Sequence, residues 1–351
     1  MKIVVAIDSF KGSATSSELN QTVKSAIISS FPETNVETFE VADGGEGSIS
    51  ALKSKLGGSL IPVETVDLLE RPLQASYLLV DHKLAFIEAA EVVGIDKIVP
   101  SEETIQHATT FGLGALFKDA KQRGATEIIL SLGGSGTSDG GLGLLTALEN
   151  EDFSHLKITG LADVTNVYAG QEGYAKFFGK QKGGTSEILE KQDIAAQSFV
   201  KKIKAERKID LQQIPGTGAA GGLGAAIVLL GGHLESGFTK IAQLLKMEES
   251  IRDADLIITG EGRMDFQTAN GKVPFGMAKL GEKYGLPTVA FCGALADDLG
   301  EMSQVLLASY SIQREVLPLE KAMNKEVTLK NIKALTENVI KTWFYTRKTK
   351  R

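Results

Sequence analysis

The stretch that decides the fold is Ile128-Ile129-Leu130-Ser131-Leu132-Gly133-Gly134-Ser135-Gly136-Thr137-Ser138-Asp139-Gly140-Gly141, followed by the apolar pattern Leu142–Leu148. The short apolar run reads as a buried strand, the glycine-rich part as a tight turn and the following pattern as a helix. Glycines without Cβ let a backbone curl round an anion, and a helix N-terminus adds roughly +0.5 of an elementary charge. Hydroxyls and a carboxylate beside such a turn suit phosphates and a metal ion. The plainer alternative is that Asp139 only caps the 142–148 helix. The same strand, glycine and acid design recurs along the chain, and the repetition points to phosphoryl chemistry.

Outward from this stretch, strands and helices alternate at both ends of the chain. Ile3–Ile7 leads to a helix opening near Thr15, where Thr15 and Glu18 have capping-box spacing and Leu19, Val23, Ala26 and Ile27 mark one face. Val36–Val41 leads to Asp43-Gly44-Gly45-Glu46-Gly47 and a helix to Leu56, stopped by Gly57-Gly58. Leu256–Thr259 precedes Gly260-Glu261-Gly262-Arg263-Met264-Asp265, then come a helix around Phe275–Tyr284 and strands at Thr288–Phe291 and Val305–Tyr310. Trp343 and Phe344 dock the closing helix. In the middle, Ile61–Val66, Gln74–Val80 and Leu84–Glu88 predict an antiparallel unit, and one helix is predicted from about Glu103 to Arg123. The expected class is α/β: a Rossmann-like doubly wound parallel-sheet domain from residues 1–60 plus 245–351, with an inserted mixed α/β domain over 61–244.

Composition narrows the classes of function. A chain of 351 residues predicts two domains, and 42% hydrophobic with 23% charged residues is a globular balance. The 38 glycines gather at the ends of apolar runs, where they have a conformational job. A net charge of −6 argues against a nucleic-acid partner. Asp8 and Lys11 interrupt the first apolar run, so no signal peptide is expected, and no run reaches the ~20 residues that span a bilayer. The lone Cys292 rules out an internal disulfide and sits in a predicted strand as a core residue; a cytoplasmic protein is expected. The four histidines show no metal-ligand spacing, and the basic stretch from Thr346 to Arg351 reads as a solvated terminus.

Five further segments carry candidate chemistry. Asp8-Ser9-Phe10-Lys11-Gly12-Ser13 lies at the carboxyl end of the first strand, where doubly wound sheets hold ligands; Lys11 suits a phosphate or carboxylate. Asp43 and Glu46 suit Mg²⁺ through water, or the proton of a substrate hydroxyl. Gly216-Thr217-Gly218-Ala219-Ala220-Gly221 matches a dinucleotide fingerprint in letters, but Ile214-Pro215 is a poor strand end and no acid follows about twenty residues on. A phosphate turn or close packing fits it better. Glu261 and Asp265 offer carboxylates, while Arg263 and Lys272 offer positive charge to a phosphoryl group. Asp163, Asn166 and Gln181-Lys182-Gly183 form a polar loop region. Gly271-Lys272 lacks the flanking residues of a Walker A loop, and no Gly-x-Ser-x-Gly elbow has triad partners.

Taken in order, these segments resemble the bacterial type-1 glycerate kinase family. The resemblance is carried by Asp8–Ser13, Ala42–Gly47, Gly133–Gly141, Asp163-Val164-Thr165-Asn166, Gln181-Lys182-Gly183, Pro215–Gly224, Thr259–Asp265 with Gln267-Thr268, and Gly271-Lys272. It implies an ATP-dependent kinase for D-glycerate that uses Mg²⁺, a two-domain α/β fold with the active site in the inter-domain cleft, and 2-phosphoglycerate favoured over 3-phosphoglycerate as product. A homo-oligomer is compatible with it. The proton of the glycerate hydroxyl is expected to go to Asp163 or Asp139, between which spacing does not choose, with Lys11 as the third catalytic group. Nucleotide contacts are expected from Ser135, Gly136, Thr137, Gly216, Gly218, Gly221, Glu261, Arg263 and Lys272. Glycerate contacts are expected from Asp8, Ser9, Asp43 and Asn166, and metal contacts from Asp43, Glu46 and Asp265. Three departures stand in one region: Ala162 where the family has Cys, Val167-Tyr168 where it has Pro-Leu, and Lys180 where it has Pro. A kinase for another small hydroxy acid, an NAD-dependent oxidoreductase built on 216–221 and a non-catalytic anion sensor are the competing readings.

Overall fold

The computed structural model describes residues 1–348 apart from Asp43, Glu46 and Asn270, with backbone only for 346–348. The chain divides into two compact units, Met1–Asp43 with Phe238–Arg351 (unit 1) and Gly44–Gly237 (unit 2). Unit 1 opens with β1 (Lys2–Ile7), whose residues 3–7 are all buried, as a strand covered on both faces requires. In the next element, α1 (Ser16–Ser30), the Thr15 hydroxyl accepts the Glu18 N–H while the Glu18 carboxylate accepts the Thr15 N–H, the capping box that the spacing predicts. Its buried face is Leu19, Val23, Ala26 and Ile27, together with Asn20. The Asn20 amide accepts from Ile7 N–H at 2.9 Å and donates to the Phe39 carbonyl at 2.8 Å, tying the end of β1 to the chain after β2 (Asn35–Thr38).

Unit 2 begins with α2 (Ser48–Leu56), which packs on two strands of this unit's sheet, β4 and β5 below. The strands β3 (Ser59–Val66), β4 (Pro72–Val80) and β5 (Leu84–Glu88) pair antiparallel, as their alternation and turns predict. After α3 (Ala90–Val93), the single helix predicted over 103–123 is instead two, α4 (Glu102–His107) and α5 (Leu113–Gln122). The break exists because the Thr110 N–H and hydroxyl bond the Asp139 carboxylate at 2.8 and 2.7 Å rather than continuing a helical ladder. There follow β6 (Glu127–Ser131), α6 (Leu142–Ala147), β7 (Lys157–Leu161), α7 (Tyr174–Phe178), α8 (Ser186–Arg207), α9 (Ala219–Leu229) and β8 (His233–Glu235). The sheet runs β3-β4-β5-β6-β7-β8, parallel from β5 to β8. Its main core joins Tyr77, Ile87, Leu116, Phe117, Leu130 and Leu223.

The chain returns to unit 1 through α10 (Gly237–Leu244) and α11 (Met247–Ile251). Then come β9 (Leu256–Gly260), β10 (Arg263–Met264), α12 (Val273–Lys283), β11 (Thr288–Cys292), β12 (Ala294–Leu295), α13 (Met302–Val305), β13 (Ala308–Ser311), α14 (Leu319–Ala322) and α15 (Lys325–Lys348). The strand predicted at 305–310 starts only at Ala308, because Met302 on α13 is drawn into a small core with Met264, Ala290 and Cys292. The sheet order is β13-β11-β9-β1-β2, all parallel, with the order reversing beside β1 as in a doubly wound sheet. On one face Ile3, Val5, Ile7, Ile258 and Phe291 pack with α1 and α15; on the other, α12 covers β9. Phe344 on α15 stacks on Phe31 with ring centroids 3.8 Å apart, the docking expected of the closing helix.

Candidate active site

In unit 1 the carboxyl ends of β1, β9, β11 and β13 lie side by side, and their turns enclose a pocket of about 430 Å³. The turn after β1 begins where the Asp8 N–H extends the ladder to the Gly260 carbonyl at 2.9 Å and the Asp8 carboxylate accepts the Ser9 N–H at 2.7 Å. It brings Asp8, Ser9, Lys11 and Ser13 to the pocket wall, with the Ser13 hydroxyl bonded to that of Thr328 at 2.7 Å. The turn after β9 brings Glu261 and Arg263, and the start of α12 brings Lys272. Glu261 is 6% exposed; its carboxylate accepts the Thr268 hydroxyl at 2.5 Å and the Lys272 ammonium at 3.3 Å. Burial pushes the Glu261 carboxyl above the ordinary glutamate range, against the pull of Thr268 and Lys272. Lys11, Arg263 and Lys272 thus line the same cavity as Asp8 and Glu261, a cationic balance suited to a polyanion. Phe10, Ile312, Leu319 and Met323 add an apolar part to the lining of the same pocket. Asp265, expected at a metal, does not line the pocket: it accepts the Gln267 N–H at 3.0 Å and turns its own loop.

Unit 2 gathers a second set at the carboxyl ends of β5 to β8. Glu88, closing β5, accepts the Ile49 N–H at 2.8 Å at the start of α2. Asp163, just after β7, accepts the Gly237 N–H at 3.0 Å and the Ser236 hydroxyl at 3.3 Å. Gly44 packs against Leu161 and Gly237, and Gly133 packs against Gly45, so these turns share one edge of the sheet. Asp43 and Glu46 lie outside the described residues. Asn166 stands in the loop after Asp163, where its amide donates to the Glu172 carbonyl at 2.9 Å and its own carbonyl accepts the Gly218 N–H.

The 133–141 turn is built differently from the expectation of a phosphate cradle. Gly133 and Gly134 are exposed, whereas Ser135, Gly136, Thr137 and Ser138 are buried. The Ser135 and Thr137 hydroxyls bond each other at 2.8 Å, the Gly136 N–H bonds the Val93 carbonyl at 2.8 Å, and the Ser138 hydroxyl bonds Gln192 at 2.9 Å. Ser135, Gly136 and Thr137, expected at the nucleotide, therefore spend their polar groups on the protein itself. The Asp139 carboxylate accepts from Thr110 twice, from Thr109, and from the Gly141 and Gly143 N–H groups at 3.0 and 3.1 Å. It caps α6 and pins the break between α4 and α5. Gly216, Gly218 and Gly221 are likewise buried. Gly221 has φ +67°, and a Cβ there would stand 2.0 Å from the Thr137 carbonyl oxygen. The dinucleotide letters are thus a packing device that lets α9 approach the 133–141 turn.

Several residues of these sites carry no motif in the sequence. Ile312, Gln313, Leu319 and Met323 complete the unit 1 pocket from a segment without glycine, whose acids Glu315 and Glu320 do not line it. Lys182 is visible only as part of the Gln181-Lys182-Gly183 match, yet it is 3% exposed and donates to the Thr137 carbonyl at 2.5 Å.

Against known proteins, the sequence profile of the glycerate kinase family matches residues 3–154 and 149–344. The chain belongs to the glycerate kinase family. It is 36% identical over 336 residues to the glycerate 2-kinase of Escherichia coli K12, covering 87% of this chain and 88% of that one. It is 34% identical over 372 residues to the glycerate kinase of Bacillus cereus, covering 95% and 98%. A crystal structure assigned to a glycerate kinase 2 of Salmonella typhimurium LT2 superposes with a TM-score of 0.86 at 31% identity over 99% of both chains. Membership makes the protein a kinase of the transferase class acting on small molecules, with glycerate phosphorylation as the family reaction, and it sets aside the oxidoreductase reading of 216–221. No helix among the described residues is long and apolar enough to cross a membrane.

Proposed function

We propose that the protein transfers the γ-phosphoryl group of ATP to the 2-hydroxyl of D-glycerate in the cytoplasm, and that the unit 1 pocket holds the nucleotide. The observation that carries this reading is the pocket itself. It sits at the ligand-binding edge of a doubly wound sheet, combines Lys11, Arg263 and Lys272 with apolar lining residues, and at about 430 Å³ exceeds what a three-carbon acid needs. The base ring is assigned to Phe10, Ile312, Leu319 and Met323, and the phosphates to the three cations and the start of α12. The 2-position follows the named specificity of the Escherichia coli relative. The lone, buried Cys292 suits a reducing compartment.

Among the described residues no trio of acidic, histidine or cysteine side chains converges on a metal position. A pair of carboxylates remains, Asp8 and Glu261 in one pocket, and hard oxygen donors in that number fit Mg²⁺, which takes most of its shell from water and substrate phosphates. Bound there, the ion would neutralise charge on the transferring group. The chain's own residues do the rest. The hydroxyl oxygen of glycerate forms the new bond to phosphorus, the bond from phosphorus to ADP breaks, and Asp163 takes the hydroxyl proton. Lys11, Arg263 and Lys272 offset the charge that spreads over the phosphoryl oxygens. Asp163 is preferred to Asp139 because the Asp139 carboxylate already holds five protein donors that shape α6 and its neighbours. ADP release measured on a panel of small hydroxy acids, with ³¹P NMR of the product, tests the reading. Turnover confined to D-glycerate with ATP, and a phosphorus signal coupled to the C2 proton, is expected; preference for another acid, or phosphate on C3, would overturn it.

A further inference from the structure

The 133–141 turn is gripped from inside unit 2 by two buried side chains of a single segment. Lys182 donates its ammonium to the Thr137 carbonyl at 2.5 Å, and Tyr168, 1% exposed, donates its hydroxyl to the Gly140 carbonyl at 2.9 Å. The two carbonyls flank Ser138 and Asp139, so the turn is held on either side of its acid. A lysine is an expensive residue to bury for packing alone, because its charge must leave water. Its ammonium sets a positive charge behind a turn whose only exposed residues are Gly133 and Gly134.

We infer that Lys182 and Tyr168 are positioning residues for the phosphoryl transfer, holding the turn in the one shape that presents Gly133 and Gly134 at the carboxyl edge of the unit 2 sheet. The inference rests on the reading above that this edge, with Asp163, takes part in catalysis. Lys182 acts through its charge, since a neutral amine is a weaker donor to a carbonyl. Burial pushes the ammonium down to about 8, and the Asp139 carboxylate works against that fall. The other titratable groups nearby do not compete. Tyr168 and Tyr174 are driven far to the neutral side by burial. Asp193 on α8 is engaged by Lys176, Gln197 and the Gly170 N–H. Glu102 and Glu103 on α4, whose cap Ser101 abuts Gly183, are exposed to water.

Activity and stability then move in opposite directions with pH. The active form carries the proton, so activity falls as pH rises through about 8. An unfolded lysine keeps its proton to about pH 10.4, so between these values the unfolded chain binds more protons and the Lys182 contribution to stability rises with pH. The test measures kcat and KM for glycerate and for ATP between about pH 6 and 10, with melting curves, on wild type, Lys182→Met, Tyr168→Phe and Asp163→Asn. In wild type, kcat/KM for glycerate should fall with a midpoint near about 8 while stability does not. Lys182→Met should lower kcat/KM roughly 10- to 100-fold and abolish that alkaline fall, with KM for ATP unchanged. Tyr168→Phe should lower kcat/KM several-fold and keep the fall. A wild-type profile flat through pH 8, or a folded Lys182→Met enzyme that keeps either wild-type kcat/KM or the alkaline fall, overturns the inference. Should Lys182→Met not fold, Tyr168→Phe with unchanged kcat/KM overturns it. Wild-type kcat in Asp163→Asn sinks the underlying reading instead; loss at Asp163 with no effect at Lys182 and Tyr168 sinks only the positioning role.

Discussion

The turn after β9 and the turn after β6 have the same texture in sequence, an apolar strand running into glycines, an acid and hydroxyls or cations. In unit 1 that texture opens: Glu261, Arg263 and Lys272 all line a pocket. In unit 2 it closes: Ser135, Thr137 and Ser138 are buried and Asp139 serves as a five-way acceptor. Glycine and polar residues after a strand therefore report a constrained backbone near a sheet edge, not a ligand. Which of the two a turn serves depends on whether other parts of the chain supply partners for its polar groups, as Thr110, Val93 and Gln192 do for the turn after β6.

The contrast can be broken by mutation, beginning with the largest effect. Asp163→Ala should cut kcat by roughly 10²- to 10⁴-fold with little change in KM, read by steady-state kinetics. Wild-type turnover in that variant would remove Asp163 as the proton acceptor. Gly221→Ala should lower stability by about 2–3 kcal/mol in denaturant melts, since its Cβ would clash with the Thr137 carbonyl at a left-handed φ. Asp139→Ala should cost about 2–3 kcal/mol in the same melts by releasing the α4–α5 break and the α6 cap. An Asp139→Ala protein as stable as wild type would show that the five contacts hold nothing together.

Alternation at the two ends of the chain, the antiparallel start of unit 2 and the Thr15–Glu18 cap were legible because each depends on residues within a few positions of one another. The break at 108–112 was not, because its cause, Asp139, lies 29 residues from Thr110 in sequence. The turn into α13 before β13 was missed for a similar reason: Met302 follows a core built from β10 and β11. At the site, Asp8, Ser9, Lys11, Glu261, Arg263 and Lys272 were named from sequence and lie in one pocket. The inward orientation of Ser135, Gly136 and Thr137 was not legible, since the same letters serve an open turn equally well, whereas close packing was one of the two readings that stood open for Gly216, Gly218 and Gly221. The apolar wall at Ile312, Leu319 and Met323 carries no chemical signature and becomes meaningful only beside Phe10.

Within the unit 1 pocket the cations should differ in weight. Lys272, paired with buried Glu261, is held in place, and Lys272→Ala should raise KM for ATP by roughly tenfold or more in initial-rate assays. Arg263, with a side chain 74% exposed, should matter least, Arg263→Ala raising KM less than roughly fivefold. A reversed ranking would show that the phosphates lie toward the pocket mouth and away from Glu261.

The central claim is that the open turn binds the nucleotide and the closed turn frames the fold. Titration calorimetry of a non-hydrolysable ATP analogue onto wild type, Lys272→Ala and Thr137→Val tests it most directly. Lys272→Ala should weaken binding by roughly tenfold or more while Thr137→Val leaves the affinity at the wild-type value. Loss of affinity in Thr137→Val with full binding in Lys272→Ala would contradict the account and move the nucleotide to the 133–141 turn.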